Sequence, residues 1–167
     1  SIILVAIVWR KMYDPATGFI NELLRSGNLD NFTGQWTADP KIALFCVFIA
    51  AAWQSVGQPM ILFLAGLQDI PEEYYEAARI DGANRFHLFF KITLPLLAPT
   101  MFMVVLLSII NSFQVFDQVY VMTSGGPGTA TLTLVQYIYT TAFQFRKMGY
   151  GAAVASVLFF ILIIFAL

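Results

Sequence analysis

Uncharged hydrogen-bonding side chains set in apolar sequence are the residues here with chemistry to offer. Gln54 and Gln58 stand four apart, with Ser55 between them; Ser108, Asn111, Gln114 (or Val115) and Gln118 follow an i, i+3, i+7 rhythm, with Phe113 and Phe116 nearby. Amides and ring faces together suit the alternating hydroxyl and C–H surfaces of a sugar. The same amides also serve as glue between helices, worth roughly 0.6–2 kcal/mol per hydrogen bond. Acid–base or metal chemistry is not on offer. The runs 42–68, 92–116 and 148–167 hold no Asp, Glu, Lys or Arg. One histidine, His87, and one cysteine, Cys46, lie far apart and form neither a disulfide framework nor a metal cluster. His87, between Phe86 and Leu88 in a charged segment, reads as a surface or interface residue. Cys46 reads as a small buried hydrophobe. No Gly-x-x-x-x-Gly-Lys-Ser/Thr loop occurs, so this chain does not itself cradle ATP. Thr123-Ser-Gly-Gly-Pro-Gly128 has glycines but no strand before it and no companion lysine, which leaves a turn rather than an anion site.

The elements that hold these residues follow from composition. Of 167 residues, 59% are hydrophobic and only 11% are charged, and mean hydropathy is +0.74. A soluble domain carries about 25% charged residues. A net charge of −1 gives no basic field for nucleic acid. About 20 apolar residues in helix cross a 30 Å hydrocarbon layer, and such spans are helical because lipid offers no partner for an open strand edge. A soluble helix would show a polar stripe every three to four residues, and none is visible. The expected fold is therefore all-α, a polytopic transmembrane helical bundle. Its spans fall at about 1–9, 42–67, 92–116 and 148–167, within one transmembrane domain. Both ends lie inside apolar runs, so the chain is expected to be part of a longer polypeptide. Trp9, Tyr13 and Trp36 flank one side as headgroup-level rings do. In the last span Gly149 and Ala153, Gly151 and Ala155, and Ala152 and Ser156 are small pairs four apart, suited to close helix packing within the bundle or against a second subunit.

The segment 69–91 is too long and too ordered for a plain hairpin loop. Asp69 with Glu72 suggests a capping-box-like start, with Pro71 in the first turn. Asp81-Gly82 stops the helix, and Asn84 caps a second short one through Lys91. Glu76 and Ile80 share a face, while Ala77 and Ala78 keep the helix slim. An ordinary solvated loop explains the charges; a docking helix explains the length as well. Arginine and lysine give a conflicting orientation. Segment 69–91 carries Arg79, Arg85 and Lys91, whereas 10–41 and 117–147 carry Arg10, Lys11, Arg25, Lys41, Arg146 and Lys147. The positive-inside rule alone then puts 69–91 outside.

Glu76-Ala-Ala78, Asp81-Gly-Ala83 and Ile92-Thr-Leu-Pro95 resemble the signature loop of binding-protein-dependent ABC importer permeases. Gly18-Phe-Ile-Asn-Glu-Leu-Leu24, Leu64-Ala-Gly-Leu-Gln68, Ile70-Pro71, Phe116-Asp117 and Thr123-Ser-Gly-Gly-Pro127 extend the resemblance over most of the chain, toward the carbohydrate-type branch of maltose and glycerol-3-phosphate permease relatives. The resemblance implies a MetI-like permease in a bacterial cytoplasmic (inner) membrane, with 69–91 as a cytoplasmic coupling segment and 10–41 and 117–147 as outside loops. It implies that Glu76, Ala77, Ala78, Asp81 and Gly82 contact an ATPase: Glu76 by an ion pair, the alanines by close approach, Gly82 by the turn.

The implied partners are two ATPase subunits, a second permease subunit and an extracytoplasmic solute-binding protein that delivers a sugar-like solute. No cofactor or metal is expected, and no covalent chemistry in this chain. Ser108, Asn111, Gln114, Gln118, Gln54 and Gln58 are the candidates for the solute pathway, Asn111 and Gln114 foremost. An ion-coupled transporter or channel acting without an ATPase is the alternative, but spans of that kind commonly carry an ionisable relay. An intramembrane enzyme needs a nucleophile, base or metal cluster that one His and one Cys do not supply.

Overall fold

The computed structural model describes residues 1–166; the end of the last predicted span, Leu167, lies outside the described residues. Among them there is no strand. The helices are α1 (Ile2–Met12), α2 (Phe19–Ser26), α3 (Ala43–Ser55), α4 (Gly57–Gln68), α5 (Glu72–Ile80), α6 (Arg85–Leu88), α7 (Leu94–Leu96), α8 (Ala98–Phe113), α9 (Asp117–Met122), α10 (Leu134–Tyr139) and α11 (Met148–Ala166). Two π turns, Phe89–Thr93 and Thr140–Gln144, join α6 to α7 and follow α10.

The predicted apolar stretches are helical, and two of them are broken. Among the described residues Met148–Phe165 is the one helix long and apolar enough by itself to cross a membrane; Ala43–Ser55 with Gly57–Gln68, and Arg85–Leu96 with Ala98–Phe113, pass only when each pair counts as one span. The breaks follow the prolines. Pro59 has no N–H for the carbonyl of Ser55, and its ring crowds that carbonyl, so helix α3 ends there. Pro95 and Pro99 similarly leave the carbonyls of Lys91 and Pro95 without their usual donors. The chain answers with a π turn and a 64° bend at Leu97. The long α11 stays straight in composition and exposed: 11% of its apolar window is buried, and Phe159, Phe160 and Ile164 face outward. Such a surface suits lipid, not water.

The chain forms two compact units, residues 55–109 and the remainder. In the larger, α1 lies along α9, and α10 with its π turn lies along α11. Its core gathers Ala6, Tyr13, Cys46, Val47, Ala50, Val119 and Met122, with Trp9 and Trp36 against it. The expected headgroup rings also pack on one another. Trp9 and Tyr13 are 5.5 Å apart, Tyr13 and Trp36 6.5 Å, and Tyr13 is buried. Cys46 is buried as expected, its thiol 3.4 Å from the carbonyl of Trp36. Of the small residues on α11, Gly151 has the close neighbour: an added Cβ there comes within 2.7 Å of the Ala142 methyl, whereas Gly149 faces open space. In the loop before α2, Asp14 accepts from the backbone N–H groups of Thr17 and Ala16, which hold its carboxyl below the usual carboxylate range.

In the smaller unit Gly66 lets α4 approach the α7–α8 bend. An added Cβ meets Thr100 Oγ1 at 2.6 Å and Leu97 at 2.9 Å, so the crossing admits only glycine without a shift.

Candidate functional site

The segment joining α4 to α7 is a helical hairpin built by local sequence. α5 starts on Pro71, whose fixed φ of −61° suits the residue before a first turn. Glu72 and Glu73 then sit at the positive end of the helix dipole and Arg79 at the negative end. The expected capping box does not form: Asp69 closes α4 as its C-terminal cap, and no side chain caps α5. The Asp69 backbone N–H donates to the Ala65 carbonyl at 3.1 Å. Gly82 makes the turn at φ +79°, a left-handed conformation that costs other residues more. Asn84 caps α6 as expected, its Oδ1 accepting from the His87 N–H at 2.9 Å.

One side of α5 is tied down and the other is bare. Tyr75 and Thr93 hydroxyls lie 3.0 Å apart, and Tyr75 and Ala78 are half-buried. Glu73, Glu76, Ala77 and Ile80 share the opposite face at i, i+3, i+4 and i+7, and all are exposed. Among the described residues none of Glu72, Glu73, Glu76 and Arg79 has an ion-pair partner; the pair the chain does form is Arg25–Glu22 on α2. Between the arms of the hairpin is a notch of about 360 Å³ lined by Ala78, Asp81, Gly82, Ala83, His87, Lys91 and Ile92.

The polar span residues divide into two kinds. Gln118 is buried and its Nε2 donates to Gln54 Oε1 at 2.9 Å, so these two amides satisfy each other. Ser108 donates to the carbonyl of Val104 at 2.7 Å, one turn back in α8. Asn111 and Gln114 are exposed at the end of α8, and Gln58 is exposed in α4. The helix does not carry the i, i+3, i+7 rhythm to Gln118. It stops at Phe113, and Gln118 belongs to α9. Beyond this break Thr133 donates to the carbonyl of Val115 at 2.9 Å. Phe116 turns onto Tyr120 and Tyr139, with ring centres 5.3 and 5.1 Å away.

Comparison with known proteins places this geometry. Residues 1–167 match the family described as the binding-protein-dependent transport system inner membrane component. The chain belongs to this family. A probable ABC transporter permease protein of Bacillus subtilis, YurN, is 38% identical over 161 residues, 96% of this chain and 55% of the relative. The arabinooligosaccharides transport system permease protein AraP of the same organism is 37% identical over 169 residues, 100% of this chain and 53% of the relative. A crystal structure of a bacterial ABC transporter involved in the import of the acidic polysaccharide alginate aligns with a TM-score of 0.86 at 25% identity, over 99% of this chain and 59% of that one. The chain spans about half the length of the curated relatives it matches.

Two features of this inner-membrane transport component escape a residue-by-residue reading. Asn21 is buried in the 10–41 segment with four hydrogen bonds: its Nδ2 donates to the carbonyls of Pro15 (3.0 Å) and Gly34 (3.1 Å), and its Oδ1 accepts from Gly34 N–H (3.3 Å) and Trp36 Nε1 (2.7 Å). Its signal in the sequence is the shared Gly18–Leu24 motif, without any hint of what Asn21 holds. Gln136 is also buried, packed under Gly125 with its Oε1 unpartnered among the described residues.

Proposed function

We propose that this chain is the transmembrane permease part of an ATP-driven importer that moves a sugar or sugar-like solute delivered by an extracytoplasmic binding protein. Segment 69–91 lies on the cytoplasmic side and couples to a separate ATP-hydrolysing subunit, two of which work with this chain and a second permease subunit; 10–41 and 117–147 lie outside. The single observation that carries this reading is the α5–α6 hairpin. It is turned at Gly82 and capped at Asn84, hangs between two apolar stretches, and presents Glu73 and Glu76 beside the small Ala77, neither carboxylate having an ion-pair partner among the described residues. Charges that the fold leaves unmatched on a slim helix suit a complementary surface on another protein. Names of relatives such as AraP support a carbohydrate as cargo, and neutral amides are the groups such a cargo meets. ATP binding and hydrolysis by the partner bias a two-state cavity; this chain converts that bias into alternating access.

Exposed Asn111 and Gln114 are the pathway residues on this reading, with Ser108 one turn before them and Gln58 in α4; the Gln54–Gln118 pair holds helices together. Uptake of a labelled oligosaccharide panel into proteoliposomes holding the whole transporter checks both statements. Uptake requires ATP, the ATPase and the binding protein; uptake that persists without the ATPase contradicts the proposal. In the same assay Asn111→Ala raises KM for the transported solute about tenfold, the scale of one or two lost hydrogen bonds to a bound ligand. Gln118→Leu lowers Tm but leaves KM near the parent value. A reversed pattern exchanges the two roles.

A further inference from the structure

Ile80 is 87% exposed, the highest value among the large hydrophobic side chains that face outward in the described chain. It closes α5 on the face that also carries Glu73, Glu76 and Ala77, turned away from the Tyr75–Thr93 contact that fixes the other side. Directly after it, Asp81, Gly82 and Ala83 form one lip of the notch, whose opposite wall holds His87, Lys91 and Ile92. An apolar knob thus stands beside a hole of about 360 Å³, room enough for one large side chain.

Three surfaces could cover this knob, and charge selects among them. An anionic membrane face attracts basic segments, whereas the face around Ile80 carries Glu73 and Glu76, with Glu72 and Asp81 close by and Arg79 the one cation of α5, so the helix and its cap are net acidic. A second copy of the same face brings these carboxylates against each other, and like charges juxtaposed across an interface cost several kcal/mol. A protein cleft that is apolar at its floor and basic at its rim satisfies both kinds of group at once. We propose that Ile80 is the apolar anchor of the coupling helix, seated in such a cleft of the ATP-hydrolysing subunit, and that a side chain from that subunit fills the notch in return. This rests on the coupling reading given above and adds to it the residue that supplies the desolvated centre of the contact. Interfaces concentrate their energy in a few buried anchors ringed by polar groups that exclude water. Here Ile80 is that anchor and Glu73 and Glu76 belong to the ring.

The test uses the assembled transporter in a Cys46→Ala background, with Glu73→Cys as a cross-linking handle and adducts identified by mass. The parent handle cross-links to the ATPase subunit. Ile80→Ala lowers both the cross-link yield and ATPase retention on purification about tenfold, Ile80→Leu restores them, and Ala83→Leu, which fills the notch from within, lowers them as well. Membrane insertion and expression of all variants stay at the parent level. If the parent cross-links but Ile80→Ala and Ala83→Leu retain the ATPase as the parent does, the anchor assignment falls and the coupling reading stands. If the parent handle forms no ATPase adduct, or joins two copies of this chain, both fall together.

Discussion

Glu76→Lys abolishes ATP-driven uptake while the protein still inserts and accumulates in the membrane. The carboxylate lies on the bare face of α5, far from any core, and no residue described in the chain pairs with it. Reversing it therefore costs the isolated fold little, as surface substitutions usually do. The effect arises on docking, where the lysine meets the basic rim that the carboxylate was there to match. Loss of a rim charge mainly slows association and weakens its salt dependence, but reversal sets like charges against each other across the interface, which costs several kcal/mol. Retention of the ATPase on purification should fall by at least about tenfold, and uptake with it. Glu76→Gln, which keeps shape and hydrogen-bonding capacity, should give an intermediate loss, and its ATPase retention should vary less steeply with salt than the parent's. Unchanged uptake and retention in Glu76→Lys would remove the basis for calling α5 a coupling helix.

Asn21→Leu is the second large effect, and it acts on stability. Four hydrogen bonds converge on one buried amide, joining the turn at Pro15, the backbone of Gly34 and the Trp36 indole. Leucine is nearly isosteric but leaves two carbonyls, one N–H and one indole N–H without partners. A buried polar group left unpaired costs about 1–3 kcal/mol; with some relief by local opening, the sum is on the order of 3 kcal/mol. A drop in Tm of roughly 5–10 °C is the corresponding reading in detergent. Trp36→Phe makes the comparison specific. It keeps a ring against Tyr13 and removes only one donor, so it should cost about 1 kcal/mol. The double variant should fall short of the sum, because both changes break the same 2.7 Å bond. A Tm for Asn21→Leu equal to that of the parent contradicts this role.

The hairpin was legible because its determinants are local. Gly82 and Asn84 act within four residues, and the backbone obeys them at φ +79° and through the 2.9 Å cap. Asp69 misled because α4 runs up to it: its backbone N–H closes that helix on the Ala65 carbonyl, and α5 begins only after Pro71, too far on for Asp69 to be its cap. The end of α8 at Phe113 had no local signal, since neither Pro nor Gly stands there. Just beyond it the Val115 carbonyl accepts from the Thr133 hydroxyl, 18 residues on, a long-range partner that no local pattern announces. With α8 ended, Gln118 left the face it appeared to share with Asn111. The mutual packing of Trp9, Tyr13 and Trp36 had no local signal either. Ring-plus-polar-tip chemistry fits a membrane interface and equally fits a core that offers the tip a partner, and Asn21 provides that partner for Trp36. The apolar spans were legible in extent but not in shape, because a proline in the sequence does not say whether its neighbours absorb the lost bond or the helix breaks. At Val56 and Leu97 it breaks.

Orientation decides whether the coupling account holds at all, since the arginine and lysine tally of this sequence points 69–91 outward and the hairpin's family pattern points it into the cytosol. Place a single cysteine at Glu76 in a Cys46→Ala background and label it with a membrane-impermeant maleimide, first in intact cells and then in inside-out vesicles. The account predicts no labelling from outside and full labelling from the cytoplasmic face, reduced when the ATPase is bound. Labelling in intact cells would contradict it.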